Sequence, residues 1–240
     1  MTGADTPAHT RRDLRTAGTT LVVRDTGKLQ VLMLLRHRSM RFFGGFWVFP
    51  GGAVGATDAA DAHGGERPSI DAAAAAACRE MQEEAGLTLS PNALLPWARW
   101  ITPTAVRRRF DTYFFLAKSP PDQQARVADS ESTELRWVDP TIWTSASSSG
   151  DFPLTPPTIL VLREFWTALQ AHDSFDELLN RERQRTIRPV LPKLLEGGMV
   201  VMPWDAQYAS APGDGINWDT AAIAQRNGWP SRLTAAVHAD

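Results

Sequence analysis

The 240-residue chain has one cysteine, Cys78, so no internal disulfide can brace it, and its stability must come from the core that a chain of this length can bury. A dominant charge is missing too. With 25 Lys and Arg against 27 Asp and Glu, the formal net charge of −2 excludes a nucleic-acid coat and an electrostatic hold on a membrane surface, and small-molecule partners fit better. No apolar run approaches the roughly 20 residues that span a bilayer, and the first fifteen residues are polar, with no hydrophobic stretch of the signal-peptide kind. The final His238-Ala239-Asp240 is not a peroxisomal address of the Ser-Lys-Leu type, so cytoplasm is the expected location. The five histidines show no ligand spacing, and the chain has no internal repeat. Cys78 falls within a helix and reads as a packing residue.

What the chain does have is Arg79-Glu80-Met81-Gln82-Glu83-Glu84-Ala85-Gly86-Leu87, preceded at a distance by Phe49-Pro50-Gly51-Gly52. Three carboxylates within five helical positions repel one another unless a cation or a basic partner lies between them. Carboxylate oxygens are hard ligands suited to Mg²⁺ or Mn²⁺, ions that complete their shells with water and substrate phosphates. At about 100° per residue, Ile70, Ala74, Ala77 and Met81 form one apolar stripe and Glu80, Glu83 and Glu84 an arc beside it. Six consecutive alanines, Ala72 to Ala77, predict a helix that Ser69 caps and Gly86 ends.

Gly-Gly, a loop, then Arg-Glu-apolar-x-Glu-Glu-x-Gly-apolar resembles the Nudix box of diphosphate hydrolases. In that pattern a Glu follows the glycine after five residues, and seven more precede the Arg-Glu pair. Here Asp71 takes the Glu's place ahead of Arg79, eighteen residues rather than five beyond Gly52, with a Gly-, Asp- and Ala-rich surface loop, residues 53–70, between. The resemblance implies an α/β (α+β) fold, an α/β/α sandwich around a mixed sheet. It also implies metal ligation by Glu80, Glu83 and Glu84, an orienting role for Arg79, and catalytic roles for Glu80 and Glu83. A carboxylate from a later loop, Glu131 ahead of Glu134, is the further candidate for metal ligand or base.

Val48-Phe49-Pro50-Gly51-Gly52, Thr102-Pro103-Thr104 with Arg109-Phe110-Asp111-Thr112, and Leu154-Thr155-Pro156-Pro157-Thr158 together resemble the long-loop acyl-coenzyme A diphosphatases. The activity this implies is hydrolysis of the P–O–P linkage of coenzyme A or acyl-CoA, with Mg²⁺ or Mn²⁺ as cofactor. Another nucleoside diphosphate derivative (ADP-ribose, NADH, a dinucleotide) is the rival substrate, and a non-catalytic ligand-sensing module the rival class. Arginine offers planar bidentate donors to phosphate, which makes Arg109, Arg107 and Arg36 candidate substrate contacts, with Gly51 and Gly52 as the backbone turn beneath. Arg38, Arg41 and Arg108 could serve the same purpose.

Along the chain, residues 1–15 read as a mobile segment, 16–172 as the Nudix domain and 173–240 as a C-terminal extension. Thr19–Val23 and Leu29–Arg36 read as a hairpin, with further strands at Trp47–Phe49, Leu94–Ile101, Asp111–Ala117 and Leu135–Val138. Helical spacing of Leu162, Phe165, Trp166 and Leu169 predicts a second helix over 157–171, and a short helix follows over 173–185. Residues 187–240 mix Pro, Gly and three tryptophans and read as a packed extension, a homodimer arm or a partly disordered tail. Most tryptophans should be core anchors, with Trp47 and Trp100 the two near enough to the motifs to stack on a ligand.

Overall fold

The structure is a computed structural model, and it describes residues 14–59, 69–145, 151–219, 223, 225, 226 and 228–234. The organising element is β1 (Leu14–Asp25), whose twelve residues, eight of them consecutively buried, run through the centre of a mixed sheet. It pairs in parallel with β6 (Arg109–Lys118), and antiparallel with β2 (Leu29–Arg36) at one end and β4 (Gly51–Ala53) at the other. The spatial order is β3-β2-β1-β6-β5-β8, with β3 at Trp47–Val48, β5 at Leu95–Ile101 and β8 at Pro189–Val190; β7 (Ser132–Val138) adds to β2. A strand buried on both faces needs a cover on each side. Helix α2 (Ile70–Ala85) lies on one face, where Ala73, Ala77, Met81 and Ala85 meet Val22, Leu32 and Phe115. Helix α3 (Pro156–Leu169) lies on the other, where Leu160, Leu162 and Phe165 meet Leu21, Val31, Met33 and Trp97. This is the expected sandwich.

Two local readings change. Leu14 and Arg15, expected in the mobile segment, already lie in β1 opposite Arg109 and Phe110, while residues 1–13 lie outside the described residues. Gly51-Gly52, read as a turn, is strand: Gly52 sits across from Gly18 and Gly51 from Thr19, which fixes the pair beneath α2. Helix α2 begins where Ser69 Oγ accepts from the Ala72 N–H at 3.2 Å and ends at Gly86, whose φ of 69° is a conformation that glycine adopts without a Cβ clash. Trp47 (3% exposed) and Trp100 (7%) are core residues, Trp47 stacked on Phe152, so neither is free to stack on a ligand.

The extension packs on the same body. After α4 (Phe175–Arg181) the chain contributes β8 to the edge of the main sheet beside β5, then a small antiparallel sheet of β9 (Lys193–Leu194), β10 (Met199–Val201) and β11 (Arg232–Thr234). Arg226 sits among the rings of Trp204, Trp218 and Trp229 at 5.9, 5.8 and 4.1 Å and donates to Glu164 on α3 at 2.7 Å. Cation–π contacts and a largely desolvated ion pair of this kind contribute about 1–2 kcal/mol. Arg226→Ala is therefore expected to lower the midpoint of thermal unfolding by about 4 °C. An unchanged midpoint would show that the tryptophan cluster does not fasten the extension.

Candidate active site

The carboxylates of α2 differ in what surrounds them. Glu84 is 3% exposed, and its Oε2 accepts from the Gly51 N–H at 2.8 Å. Burial pushes its carboxyl up to about 8, against the pull of the Gly51 N–H and the Arg36 guanidinium. Glu80, half-buried, presses on Gly52: a methyl group at that position would overlap the Glu80 carboxylate and push it aside. Burial raises the Glu80 carboxyl as well, Arg79 opposes the rise, and Glu83 and Glu131 add to it. Glu83 lies at the exposed rim, ion-paired with Arg79 at 2.9 Å.

Arg79 is the hub of this arrangement. Its guanidinium reaches Glu80 at 2.9 Å, Glu83 at 2.9 Å, the Ala53 carbonyl at 3.2 Å and, through Nε and Nη2, the Asp58 carboxylate at 3.0–3.3 Å. Asp58 is 7% exposed in the short helix α1 (Ala56–Ala59) and also accepts from the Gly55 N–H at 2.8 Å. Burial works against its ionisation, but Arg79 and the Gly55 N–H outweigh that and hold its carboxyl below the ordinary value. The guanidinium of Arg79 is correspondingly held more firmly protonated, first by its hydrogen bond to Asp58.

This corrects the reading of Asp71. Asp71 is exposed in the first turn of α2, about two and a half turns before Glu80 and so on the opposite side of the helix, whereas Asp58 contacts Arg79. Counted forward from Gly52, Asp58 is the acid that follows after five residues, so the extra residues lie between this acid and the helix rather than between the glycine and the acid. The stretch read as surface loop accordingly includes a buried carboxylate; residues 60–68 lie outside the described residues.

A second strand of chain completes the cluster. The segment before β7 runs beside the end of α2, with the Arg126 N–H donating to the Ala85 carbonyl and the Ala128 N–H to the Glu84 carbonyl, each at 3.0 Å. The Glu131 carbonyl accepts from the His37 N–H at 2.7 Å. Carboxylate oxygens of Glu84, Asp129 and Glu131 thereby lie within 4.8 Å of one another. Asp129 went unnoticed in the sequence; the signal was Asp129-Ser130-Glu131, two acids two residues apart ahead of a strand. Glu134, the alternative to Glu131, instead lies on β7 and pairs with Arg136 at 2.6 Å. Arg36 reaches the cluster from the end of β2, 3.7 Å from Glu84 and 3.2 Å from Glu131.

These residues fit a divalent cation of the Mg²⁺ or Mn²⁺ kind. All the donors are hard oxygens, Glu84 is a buried carboxylate that accepts a backbone hydrogen bond from Gly51, and Ser132 Oγ, next in sequence to Glu131, is buried with no hydrogen-bond partner among the described residues. The remaining predicted residues lie farther off. Arg109 stands across from Leu14, four register positions from the Gly18–Gly52 pair and so about 13 Å along the sheet. Its Nε donates to the Thr102 carbonyl at 3.1 Å, and Arg107 is exposed in the preceding turn. Half-buried aromatics of the 37–46 loop pack on one another and on β6: Phe42 is 4.1 Å from Phe43 and 5.2 Å from Phe110, and Phe43 meets Phe46 at 6.2 Å.

A mixed sheet between two helices, with an Arg-linked glutamate cluster over a Gly-Gly strand, defines the class of Nudix-domain proteins. The family model described as the NUDIX domain matches residues 14–151, more than half of the chain, and the chain belongs to that family. It is 27% identical over 168 aligned residues to the Caenorhabditis elegans protein named nudix hydrolase 7, covering 55% of this chain and 54% of that protein; the chain thus spans about half the length of that relative. The solved NUDIX hydrolase of Alicyclobacillus acidocaldarius is similar at 26% identity and a TM-score of 0.58, over 71% of this chain and 97% of that one. The NUDIX domain of Shewanella oneidensis NrtR, solved with ADP-ribose, shares the fold at 14% identity and a TM-score of 0.50, over 69% of this chain and 94% of its own. Among the described residues no helix is long and apolar enough to cross a membrane.

Proposed function

We propose that the chain is a metal-dependent diphosphatase that hydrolyses the P–O–P linkage of a nucleoside diphosphate derivative, and that this derivative is coenzyme A or an acyl-CoA. The observation that carries the reading is the buried Glu84 carboxylate, pinned to the Gly51 N–H and facing Glu131 and Asp129 across a gap narrow enough for one cation to close. Glu80, Glu83, Glu84, Asp129 and Glu131 are the residues that would hold Mg²⁺ or Mn²⁺. Bound there, such an ion neutralises the diphosphate, lowers the pKa of a water and stabilises the leaving phosphate. The chain's own part is positional: Arg79 fixes Glu80 and Glu83 through its Asp58 anchor, and the Gly51 N–H fixes Glu84. The proton released from the attacking water passes to Glu80, Glu83 or Glu131. Its oxygen bonds to phosphorus as the bridging P–O bond breaks, giving 3′-phosphoadenosine 5′-phosphate and 4′-phosphopantetheine or its acyl form.

The length of the site supports a long substrate. About 13 Å along the sheet from the Gly18–Gly52 pair lie Arg109 and, in the turn before it, the exposed Arg107, donors suited to a phosphate remote from the scissile bond. Product formation from coenzyme A, dephospho-coenzyme A, ADP-ribose and NADH with Mg²⁺ or Mn²⁺ tests this. A charge-assisted contact to the 3′-phosphate should give coenzyme A about a tenfold advantage in kcat/KM over its dephospho form. Equal rates would remove the coenzyme A assignment and leave the diphosphatase one, and no turnover of any of the four would remove both.

A further inference from the structure

One cation is already present among these carboxylates, and it belongs to the protein. Two of the three acids whose oxygens converge, Glu84 and Glu131, face the Arg36 guanidinium, 3.7 Å from Nη1 and 3.2 Å from Nη2. The placement is built into the sheet: the β2–β7 register shifts between Leu35 and Arg36, and a bulge of this sort re-aims the side chain that follows it. The contact is also a poor one for a purely structural ion pair. Among the described residues Arg36 Nε is buried without an acceptor, and the approach of Nη1 to Glu84 exceeds hydrogen-bonding distance, so of these contacts only the one from Nη2 to Glu131 Oε2, at 3.2 Å, is a hydrogen bond.

We propose that Arg36 is the internal counter-ion of this site: its guanidinium takes the place of a divalent cation between Glu84 and Glu131 and has to be displaced for the ion to load. The inference rests on the metal-centre reading above and adds a role that the metal ligands do not have. Without a counter-ion, Glu80, Glu84, Asp129 and Glu131 would repel one another in the ion-free protein. With Arg36 in place that repulsion is reduced, ion binding becomes an exchange, and the displaced guanidinium is released beside the diphosphate, where a planar donor is useful. Two cations that compete for the same carboxylates weaken each other reciprocally.

The test is Mn²⁺ binding by isothermal titration calorimetry, with thermal unfolding in chelator and in saturating Mn²⁺, on the full chain and on Arg36→Gln and Arg36→Lys. Removing the competing charge should make Arg36→Gln bind Mn²⁺ about tenfold more tightly, while it melts earlier than wild type in chelator and recovers more on adding the ion. Arg36→Lys keeps one charge but cannot span both acids, so its affinity should fall between the two. Hydrolysis by Arg36→Gln should decline even at saturating Mn²⁺, separating ion loading from phosphate contact. Unchanged or weaker Mn²⁺ affinity in Arg36→Gln would overturn the proposal. If that variant does not fold, a wild-type affinity in Arg36→Lys overturns it equally. Wild-type protein that binds no Mn²⁺ would instead remove the metal-centre reading on which both stand.

Discussion

Glu84→Gln is expected to lower hydrolysis by roughly 10³-fold or more, the size of effect that follows from losing several kcal/mol of metal-supplied charge stabilisation, while leaving the fold intact and, in chelator, more stable. The two halves of this expectation have one cause. Glutamine has nearly the same shape and can still accept from the Gly51 N–H, so the α2–β4 contact survives. What disappears is an ionisable carboxyl held 3% exposed beside Glu80, Asp129 and Glu131, where burial and these neighbours disfavour its charged form. Burial raises the Glu84 carboxyl from the ordinary range to about 8, so its contribution to ion-free stability is fully present below the unfolded value, about 4.5, and is lost as pH rises through about 8. Wild type in chelator should therefore weaken over that window by a few kcal/mol at most, by order of magnitude, and Glu84→Gln should flatten the slope. Denaturant titrations at pH 5, 6.5 and 8, paired with turnover in Mg²⁺ and Mn²⁺, check both. Near-native turnover in the variant would show that Glu84 does not hold the ion. An unchanged pH slope would show that its carboxyl is ionised in the ion-free fold.

How far the sequence foretold this site depended on whether the relevant signal was local. The α2 helix was legible because six alanines, a Ser cap and a terminal Gly act over a few residues, and the Glu80-Glu83-Glu84 spacing is a helix-surface pattern that periodicity exposes. The sheet was legible in outline, since apolar runs mark strands, but not at its ends. Leu14–Gly18 extends the apolar run through a polar stretch because β6 and β4 pair with it on either side, and that pairing is tertiary. Gly51–Ala53 reads as a turn by composition and becomes strand because Gly18 and Thr19 supply its partners. Asp129 is marked in the sequence only by its spacing to Glu131, a weak signal, because nothing near it says that the backbone of residues 126–128 will dock on the end of α2. Arg36 was read as a phosphate donor by residue type, and only the register shift between β2 and β7 turns it toward two glutamates.

The acid that anchors Arg79 separates the two ways of aligning the motif, and the expected contrast is large. Asp58→Asn should reduce kcat/KM by about 10–100-fold, the usual cost of losing a residue that orients ligand-bearing groups, whereas Asp71→Asn should change neither rate nor stability beyond about 0.5 kcal/mol, as for an exposed surface position. Asp58 meets Arg79 through both Nε and Nη2, and Arg79 in turn spans Glu80 and Glu83. Remove the carboxylate charge and the guanidinium has only the two candidate ligands and the Ala53 carbonyl left, so it tightens on oxygens that the ion requires. Stability should move in the direction set by the pKa. The Asp58 carboxyl is held below its ordinary value, so the stability it confers is present above the unfolded value and is lost as pH falls through the folded one. Asp58→Asn should thus weaken the protein by about 1–3 kcal/mol at neutral pH, as expected when one partner of a largely desolvated pair is removed, and the deficit should shrink toward pH 3. Asp58→Glu restores the carboxylate at the position where the family pattern has glutamate and should recover most of the activity. A larger loss in Asp71→Asn than in Asp58→Asn would return the motif's first acid to α2 and make the Arg79–Asp58 contact incidental.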